Sequence, residues 1–467
     1  MDKFKNKNIH LIGIGGISMS AIANFLLDND IKVSGSDLKN NNKINKLKSK
    51  GATINIGHKE KNVISADFVV KSSAIPENNP ELKYARNNGI KVYERAEILA
   101  EIASNKKLIA VSGSHGKTTV TGMLASIFVK AGMDPSIMIG GDVDTISGNY
   151  KIGSGDFFIT EADESDGSLL YFDPEISIIT NIEAEHLDFY GAEEKLFDTM
   201  FNFIKKTAQN GVILCYEDEG IKNNLIEKRI NSMPDLKIDK YGLSDGKYRA
   251  EVIKEEGFNT SYKLYYKDKY IDLVNLNLTG KHNVLNSLAA IAASKKAGLE
   301  WQEIINGLSD FNGVKRRFEY KGQVNGIKII DDYAHHPSEI ETVINSAKKI
   351  KANNIRLIFQ PHRYTRTRDL WNDFVNILHD KEIYFYIVDI YSANQSEIKN
   401  INSRKLVEDI NFNYSDSKIQ YTGSVRETIK KLNGLIEEND LILTVGAGDV
   451  YKIGEELLKI LRSEYND

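Results

Sequence analysis

The amino-acid sequence predicts an α/β protein of three domains in series, and three observations predict it. Short apolar runs that end in Gly, Ser or acidic residues recur along the chain. Between them lie segments with apolar residues at helical spacing. The 467 residues are also too many for one ordinary hydrophobic core. Alternating strand and helix signals mark mostly parallel sheets with helical crossovers. Hydrophobic residues at 41% and charged residues at 27% describe a globular protein.

The first block, residues 1–104, opens on the strand-like "IHLIGI". Met19, Ile22, Ala23, Leu26 and Leu27 then share one helical face. "IKVSGSD", "DFVVKSSAIP" and "GIKVYE" are further short strands. The turn "GIGGIS" approximates the dinucleotide fingerprint G-x-G-x-x-G/A, with Gly13 and Gly15 in place and Ser18 at the last position. Asp37 closes the second strand where a ribose-binding acid belongs. The block therefore reads as a Rossmann-like domain able to hold a nucleotide diphosphate. Its lysine-led apolar start only superficially resembles a secretory leader, because His10, several glycines and Asn24 interrupt it. No later run approaches bilayer length, so the chain is expected in the cytoplasm.

The second block, residues 105–314, begins with a strand, Leu108–Ser112, that runs into "GSHGKTT". The usual phosphate loop is G-x-x-x-x-G-K-[ST]; here Gly113 and Gly116 give a shorter form ending in Lys117-Thr118. Glycines let the backbone N–H groups converge on phosphate oxygens, and the following helix adds the positive end of its dipole. Val120, Met123, Leu124, Ile127 and Phe128 recur at helical spacing behind the loop. "TEADESDG" and "NIEAEHLD" end the next two strands with Glu161, Asp163, Glu164 and Asp166, and with Glu183, Glu185, His186 and Asp188. If both strands neighbour the loop strand, a carboxylate and an imidazole arrive beside the terminal phosphate. Glu161 and His186 are expected to be that pair, although spacing alone does not distinguish them from their neighbours, and most of the other carboxylates are expected to be solvated. "ISGNYKIGSGD" is assigned to a surface loop. Residues 247–278 alternate like hairpin strands, ahead of a helix near Asn283. This block reads as a P-loop ATPase-type domain.

The third block, residues 315–467, repeats the strand-then-loop theme in "IKIIDDYAHHP", "IRLIFQPHRYTRT", "YFYIVDIYSA" and "LILTVGAGDVY". Each strand delivers polar residues at its carboxyl end, where open parallel sheets collect ligands. It is expected to be a second Rossmann-like domain. Pro337 suits the first position of a helix that His335 and His336 lead into. The single cysteine, Cys215, excludes an internal disulfide and a cysteine-rich metal cluster. A net charge of −4 gives no general attraction for nucleic acid or anionic membrane.

The set "GIGGISMS", "GSHGKTT", "EADESD", "NIEAEHLD", "GKHNVLN", "RRFE", "DDYAHHP" and "FQPHRYTRT" runs in one order through all three blocks. It closely resembles the ATP-dependent muramyl ligases, and among them the branch that adds L-alanine to UDP-N-acetylmuramate in peptidoglycan precursor synthesis. The resemblance implies that ATP, with Mg²⁺, phosphorylates the sugar's carboxylate and that the amine of alanine then displaces phosphate.

The resemblance also implies roles position by position. Gly113, Ser114, His115, Gly116, Lys117, Thr118 and Thr119 would cradle the ATP phosphates, with Lys117 offsetting charge on the transferred group. Thr118, Glu161 and His186 would hold the metal. His282, Asn283 and Asn286 would meet the adenine end, Arg317 the γ-phosphate and Asp332 the ribose. Tyr333, His335, Arg363 and Arg366 would take alanine, an arginine gripping its carboxylate in two-pronged fashion. Gly15, Gly16, Ser18, Asp37, Ser72 and Ser73 would hold the UDP part. Several relatives that add other amino acids carry a modified lysine downstream of the metal histidine. Phe201 stands there in this chain, which favours the alanine-adding branch. Because ATP-site elements come from the second and third domains, closure of the third on the second is expected to complete the site. The competing readings are a related ligase adding another amino acid, a recycled cell-wall peptide or glutamate on folate; a P-loop switch or motor; and a nicotinamide-dependent oxidoreductase.

Overall fold

The computed structural model describes residues 2–72, 74–183, 187–208, 211–226, 228–233, 235–393 and 395–465. They form three α/β sheets in series. Residues 1–312 pack as one compact unit, which holds two of the sheets, and residues 313–467 pack as another.

The first sheet comprises β1 (Asn8–Ile12), β2 (Lys32–Asp37), β3 (Thr53–Ile56), β4 (Phe68–Lys71) and β5 (Lys91–Glu94), all parallel in the order β3-β2-β1-β4-β5. β1 is buried at every residue, as a strand covered on both faces must be. Strand order reverses beside β1, which opens a crevice at the carboxyl ends of β1 and β4. The turn 13–16 lies at that edge and leads into helix Ile17–Asp28.

The central sheet has ten strands: β6 (Lys107–Ser112), β7 (Ser136–Val143), β8 (Gly148–Lys151), β9 (Phe157–Glu161), β10 (Ile176–Ile179), β11 (Val212–Cys215), β12 (Ile238–Gly242), β13 (Tyr248–Glu256), β14 (Asn259–Tyr266) and β15 (Lys269–Leu276). Their order is β15-β14-β13-β12-β11-β10-β6-β9-β7-β8. β6 lies between β9 and β10 and parallel to both, so the two acidic strand ends do flank the glycine loop. β13, β14 and β15 form the expected antiparallel hairpins. Helix Lys117–Lys130 buries Val120, Met123, Leu124, Ile127 and Phe128 completely. Helix Trp301–Ser309 crosses it so closely that a Cβ at Gly307 would lie 2.4 Å from the Ile127 Cα. Ser126 Oγ donates to the Gly307 carbonyl at 2.7 Å, which locks the crossing.

One expectation is corrected. Part of the segment read as a surface loop is strand β8, antiparallel to β7. Its side chains meet residues of the first sheet's helical layer. Asn149 Nδ2 donates to the Ile17 carbonyl at 3.2 Å, and Tyr150 meets Lys50 at 3.0 Å. Phe25 and Phe158 pack across the same seam with ring centres 6.1 Å apart.

The third sheet comprises β16 (Glu319–Val324), β17 (Ile327–Asp332), β18 (Ile355–Phe359), β19 (Ile383–Val388), β20 (Ile419–Gly423) and β21 (Leu441–Val445), in the order β16-β17-β21-β18-β19-β20. All are parallel except β16, which pairs antiparallel with β17. A buried ion pair ties this sheet to the turn before β21. Arg356 Nε donates to Asp440 Oδ2 at 2.6 Å and its Nη1 to the Tyr386 hydroxyl at 2.9 Å. Asp440 also accepts from Asn354 Nδ2 at 2.8 Å and the Glu437 N–H at 2.9 Å. Removing the cation strands a buried carboxylate. Arg356→Ala is therefore expected to destabilise this unit by about 3–5 kcal/mol in urea unfolding; a loss below about 1 kcal/mol would contradict the pair's structural role.

Candidate active site

The loop between β6 and helix Lys117–Lys130 can be built only with glycine at both ends. Gly113 has φ +132°, and a Cβ there would lie 2.2 Å from Thr180 Oγ1 and 2.8 Å from the Asn181 carbonyl. Gly116 has φ +86°, and its Cβ would meet Asn286 Oδ1 at 2.6 Å. The segment after β10 pins the loop between them. The Ser114 N–H donates to the Asn181 carbonyl at 3.2 Å and the His115 N–H to Asn181 Oδ1 at 2.8 Å. Thr180 Oγ1 and Asn181 Nδ2 both donate to the His115 carbonyl, at 2.6 and 3.1 Å. Ser114 Oγ accepts the Glu183 N–H at 2.9 Å, and His115 Nε2 lies 3.3 Å from Glu183 Oε2. Thr180 and Asn181 escaped the sequence reading; their only signal was a polar pair at the end of an apolar strand.

Lys117 folds back over this loop. Its Nζ donates to the Gly113 carbonyl at 2.5 Å and to both Glu164 carboxylate oxygens at 2.9 Å. Burial alone would push its pKa down, but the Glu164 and Asp163 carboxylates outweigh burial and the net shift is upward. The ammonium stays charged. Glu164 is thus not one of the solvated loop carboxylates: it is 2% exposed and is the lysine's counter-ion. Tyr190 donates its hydroxyl proton to the Glu164 carbonyl.

Thr118 Oγ1 donates to Glu161 Oε2 at 3.0 Å, and Glu161 Oε1 accepts the Gly140 N–H at 2.6 Å. Two hard oxygen donors thus stand side by side at the start of the phosphate-loop helix, a donor set that suits Mg²⁺ when phosphate oxygens and water supply the rest. His186 and Glu185 lie outside the described residues. Thr119, in the same first turn, is half-buried. Asn283 and Asn286 are buried on the first turns of helix Lys281–Lys296, which reaches the loop through the Asn286–Gly116 contact; His282 stands exposed at its start.

In the first sheet, Gly13 and Ile14 donate their N–H groups to the Ser36 carbonyl at 2.8 and 3.1 Å. The Gly15 N–H donates to Asp37 Oδ2 at 2.8 Å, and Asn41 Nδ2 to the Gly15 carbonyl at 3.2 Å. A side chain at Gly15 would strike both partners, at 2.9 and 2.7 Å. Asp37 therefore buckles the turn to the end of β2. Gly16 is exposed, while Ser18 and Ser72 are half-buried at the same edge; Ser73 lies outside the described residues. Beneath the turn, fully buried Glu81 accepts Ser36 Oγ at 2.5 Å, Asn62 Nδ2 at 2.6 Å and the Lys59 N–H at 3.1 Å. No sequence signal had marked it.

In the unit 313–467, the motifs "RRFE" and "DDYAHHP" interlock. The Asp332 carboxylate accepts the Phe318 and Ala334 N–H groups, each at 2.7 Å, and the Tyr333 N–H donates to the Arg316 carbonyl at 2.7 Å. Burial pushes the Asp332 carboxyl up to about 6 against the pull of Arg317. The Arg317 guanidinium stands 5.7 Å from the Tyr333 ring. His335 Nδ1 lies 3.1 Å from the Tyr333 carbonyl and 3.4 Å from Glu339, which also accepts the His335 and His336 N–H groups. Pro337 opens helix Pro337–Ala347, as expected.

The structure adds His362 and Tyr391 to this group. The His362 ring stacks on Tyr391 with centres 5.6 Å apart and lies 5.7 Å from the His335 ring. Burial first, then His335 and the neighbouring arginines, push the His362 pKa down to about 3. Neutral His362 can thus accept at Nδ1 from Arg366 Nη1, 3.2 Å away. Arg363 enters helix Tyr364–Asp369 with φ +70°, a strained value for a residue with a side chain, and its N–H donates to the Tyr391 carbonyl at 2.8 Å. Two arginines, two imidazoles and two phenol rings converge here, an arrangement that can hold a small zwitterion by its carboxylate. Phe201, by contrast, packs among Lys205 and Arg229 with no metal-ligating group of its own.

Among the described residues, no helix is long and apolar enough to cross a membrane. Three family models match the chain in order: the Mur ligase family, catalytic domain, over residues 8–107; the Mur ligase middle domain over 111–294; and the Mur ligase, glutamate ligase domain over 316–448. The UDP-N-acetylmuramate–L-alanine ligase of Geotalea daltonii is 40% identical over 462 residues, spanning 98% of this chain and 99% of that protein. The protein of the same name from Clostridium botulinum strain Eklund 17B is 42% identical over 98% of both chains. Among solved structures, the UDP-N-acetylmuramate-alanine ligase of Thermotoga maritima superposes with a TM-score of 0.81 at 27% identity, covering 98% of this chain and all of that one. A murein peptide ligase from Psychrobacter arcticus shares the fold, with a TM-score of 0.72 at 24% identity. Domain matches in series and full-length relatives agree with the geometry of the loops, and the chain belongs to the Mur ligase family.

Proposed function

We propose that this chain joins L-alanine to the carboxylate of UDP-N-acetylmuramate at the expense of ATP, a step of peptidoglycan precursor synthesis in the cytoplasm. The observation that carries the reading is the glycine loop with a buried, charged Lys117 beside the Thr118–Glu161 oxygen pair. The names of the full-length relatives supply the two substrates.

A carboxylate is a poor electrophile because attack by an amine would have to expel oxide. Transfer of a phosphoryl group removes that obstacle. A carboxylate oxygen attacks the γ-phosphorus, the bond to the β–γ bridging oxygen breaks, and ADP leaves. The alanine nitrogen then attacks the acyl carbon and loses a proton, and the tetrahedral adduct expels phosphate. We assign the loop Gly113 to Thr119 to the phosphates, its shape held by Asn181 at Ser114 and His115, and Lys117 to the charge on the moving phosphoryl group. Glu164 keeps Lys117 charged until a phosphate competes for it. Thr118, Glu161 and His186 would hold Mg²⁺, which when bound spreads the charge of the β- and γ-phosphates.

His282, Asn283 and Asn286 serve the adenine end, Asp332 the ribose and Arg317 the γ-phosphate. Gly15, Gly16, Ser18, Asp37, Ser72 and Ser73 serve the UDP part, with Asp37 acting chiefly by holding the turn. Tyr333, His335, Arg363 and Arg366 take alanine, joined by His362 and Tyr391.

Purified protein given ATP, Mg²⁺, UDP-N-acetylmuramate and a panel of single amino acids and a cell-wall peptide tests the reading. The expected product, weighed by mass spectrometry, is the alanyl amide; ATP consumption with no amide, or an amide only with another partner, would overturn it. Lys117→Ala should lower turnover about a hundredfold or more, and near-normal turnover would remove the loop from the chemistry. Arg363→Ala should raise the KM for alanine roughly ten- to a hundredfold while leaving that for ATP within about twofold. Unchanged saturation by alanine would show that the amino acid binds elsewhere.

A further inference from the structure

Arg316 precedes the arginine assigned to ATP, and the reaction chemistry gives it no task. Its guanidinium nevertheless has three directed partners. Nε donates to Asp331 Oδ2 at 2.9 Å, Nη2 to the Gly446 carbonyl at 2.5 Å and Nη1 to the Gly448 carbonyl at 3.2 Å. The rings of Tyr333 and Tyr451 lie 5.1 and 4.8 Å from its central carbon. Asp331 is itself buried and accepts from Thr444 Oγ1 on β21 at 2.6 Å. One planar cation thus joins the turn before β16 to the end of β17 and to the segment beyond β21.

The backbone shows why such a clamp is needed. Arg316 and Phe318 both take positive φ, +63° and +48°, although neither is glycine. The strained turn is held by acceptors: Glu319 takes the Arg316 N–H at 2.9 Å, Asp332 takes the Phe318 N–H, and the Arg316 carbonyl takes the Tyr333 N–H. Arg317 stands between the two strained residues, so its direction is set by theirs. Tyr333 is held on both sides, by its N–H and by its ring against the guanidinium.

We propose that Arg316 is a positioning residue: its guanidinium locks the turn 316–318 to the ends of β17 and β21, and so aims Arg317 at ATP and Tyr333 at alanine. The proposal rests on the ligase reading above for the identity of those substrates. A guanidinium offers donors in fixed directions within one plane, whereas a lysine has a single nitrogen that cannot reach Asp331, Gly446 and Gly448 together. Charge alone should therefore not restore function.

The test compares full-length wild type with Arg316→Lys and Arg316→Met, with folding followed by circular dichroism. Both variants should raise the KM for ATP and for alanine about tenfold or more, with that for UDP-N-acetylmuramate within about twofold. Arg316→Lys should not rescue. Affinity for a non-hydrolysable ATP analogue, read by calorimetry, should fall in parallel. Normal KM values for ATP and alanine in a folded variant, or an equal rise in all three, would overturn the proposal. So would failure of both variants to fold, which would make Arg316 a purely structural residue. A wild type that forms no amide counts against the ligase reading, whereas unchanged analogue affinity in Arg316→Lys counts against this one.

Discussion

In the proposed reaction two anions have to meet, and the ammonium of Lys117 is the group we assign to that task. A triphosphate and a carboxylate repel one another, more so where water is excluded. Lys117 sits at the start of a helix, over a loop whose glycines let the backbone turn tightly against Thr180, Asn181 and Asn286. Its burial would by itself favour the neutral amine, which would be useless for this purpose. Glu164 at 2.9 Å, with Asp163 nearby, keeps the charge in place. The helix is fixed in turn by Gly307 and Ser126, so the loop is anchored at its back as well as its front.

The same device recurs in all three sheets. A side chain at or just beyond a strand's carboxyl end captures N–H groups of a loop and freezes it in a shape ready for a ligand. Asp37 holds Gly15 in the first sheet, Asn181 holds His115 in the second, and Asp332 holds Phe318 and Ala334 in the third. Such pinning lowers the entropy lost when a ligand binds, since the loop is ordered beforehand. It also explains why residues that pair with loop backbone stand next to the residues proposed to touch substrate.

Much of the fold was legible because its signals are local. Glycine spacing in "GSHGKTT", the apolar face from Val120 to Phe128 and the alternation in β13 to β15 each depend on near neighbours in the chain. β8 was not legible, since Asn149 and Tyr150 find their partners at Ile17 and Lys50, far away in sequence. Residues 1–104 and 105–314 were read as separate domains, and residues 1–312 pack as one compact unit. Within the site, motif spacing marked Lys117, whereas Glu161 and Arg363 stood out from their neighbours only through the family resemblance. Their partners Glu164, Asn181, His362 and Tyr391 depend on strand register and loop path, which spacing does not encode. Glu164 carries no local signal, because a buried counter-ion and a solvated carboxylate look alike in a stretch such as "EADESD".

In the proposed reaction the terminal phosphoryl group of ATP passes to the substrate's carboxylate before the amide forms. It can be followed with UDP-N-acetylmuramate carrying ¹⁸O in both carboxylate oxygens, turned over with unlabelled ATP and alanine. Activation of the carboxylate predicts that each phosphate released carries one ¹⁸O and each amide keeps the other. Phosphate free of label, with amide still formed, would contradict it.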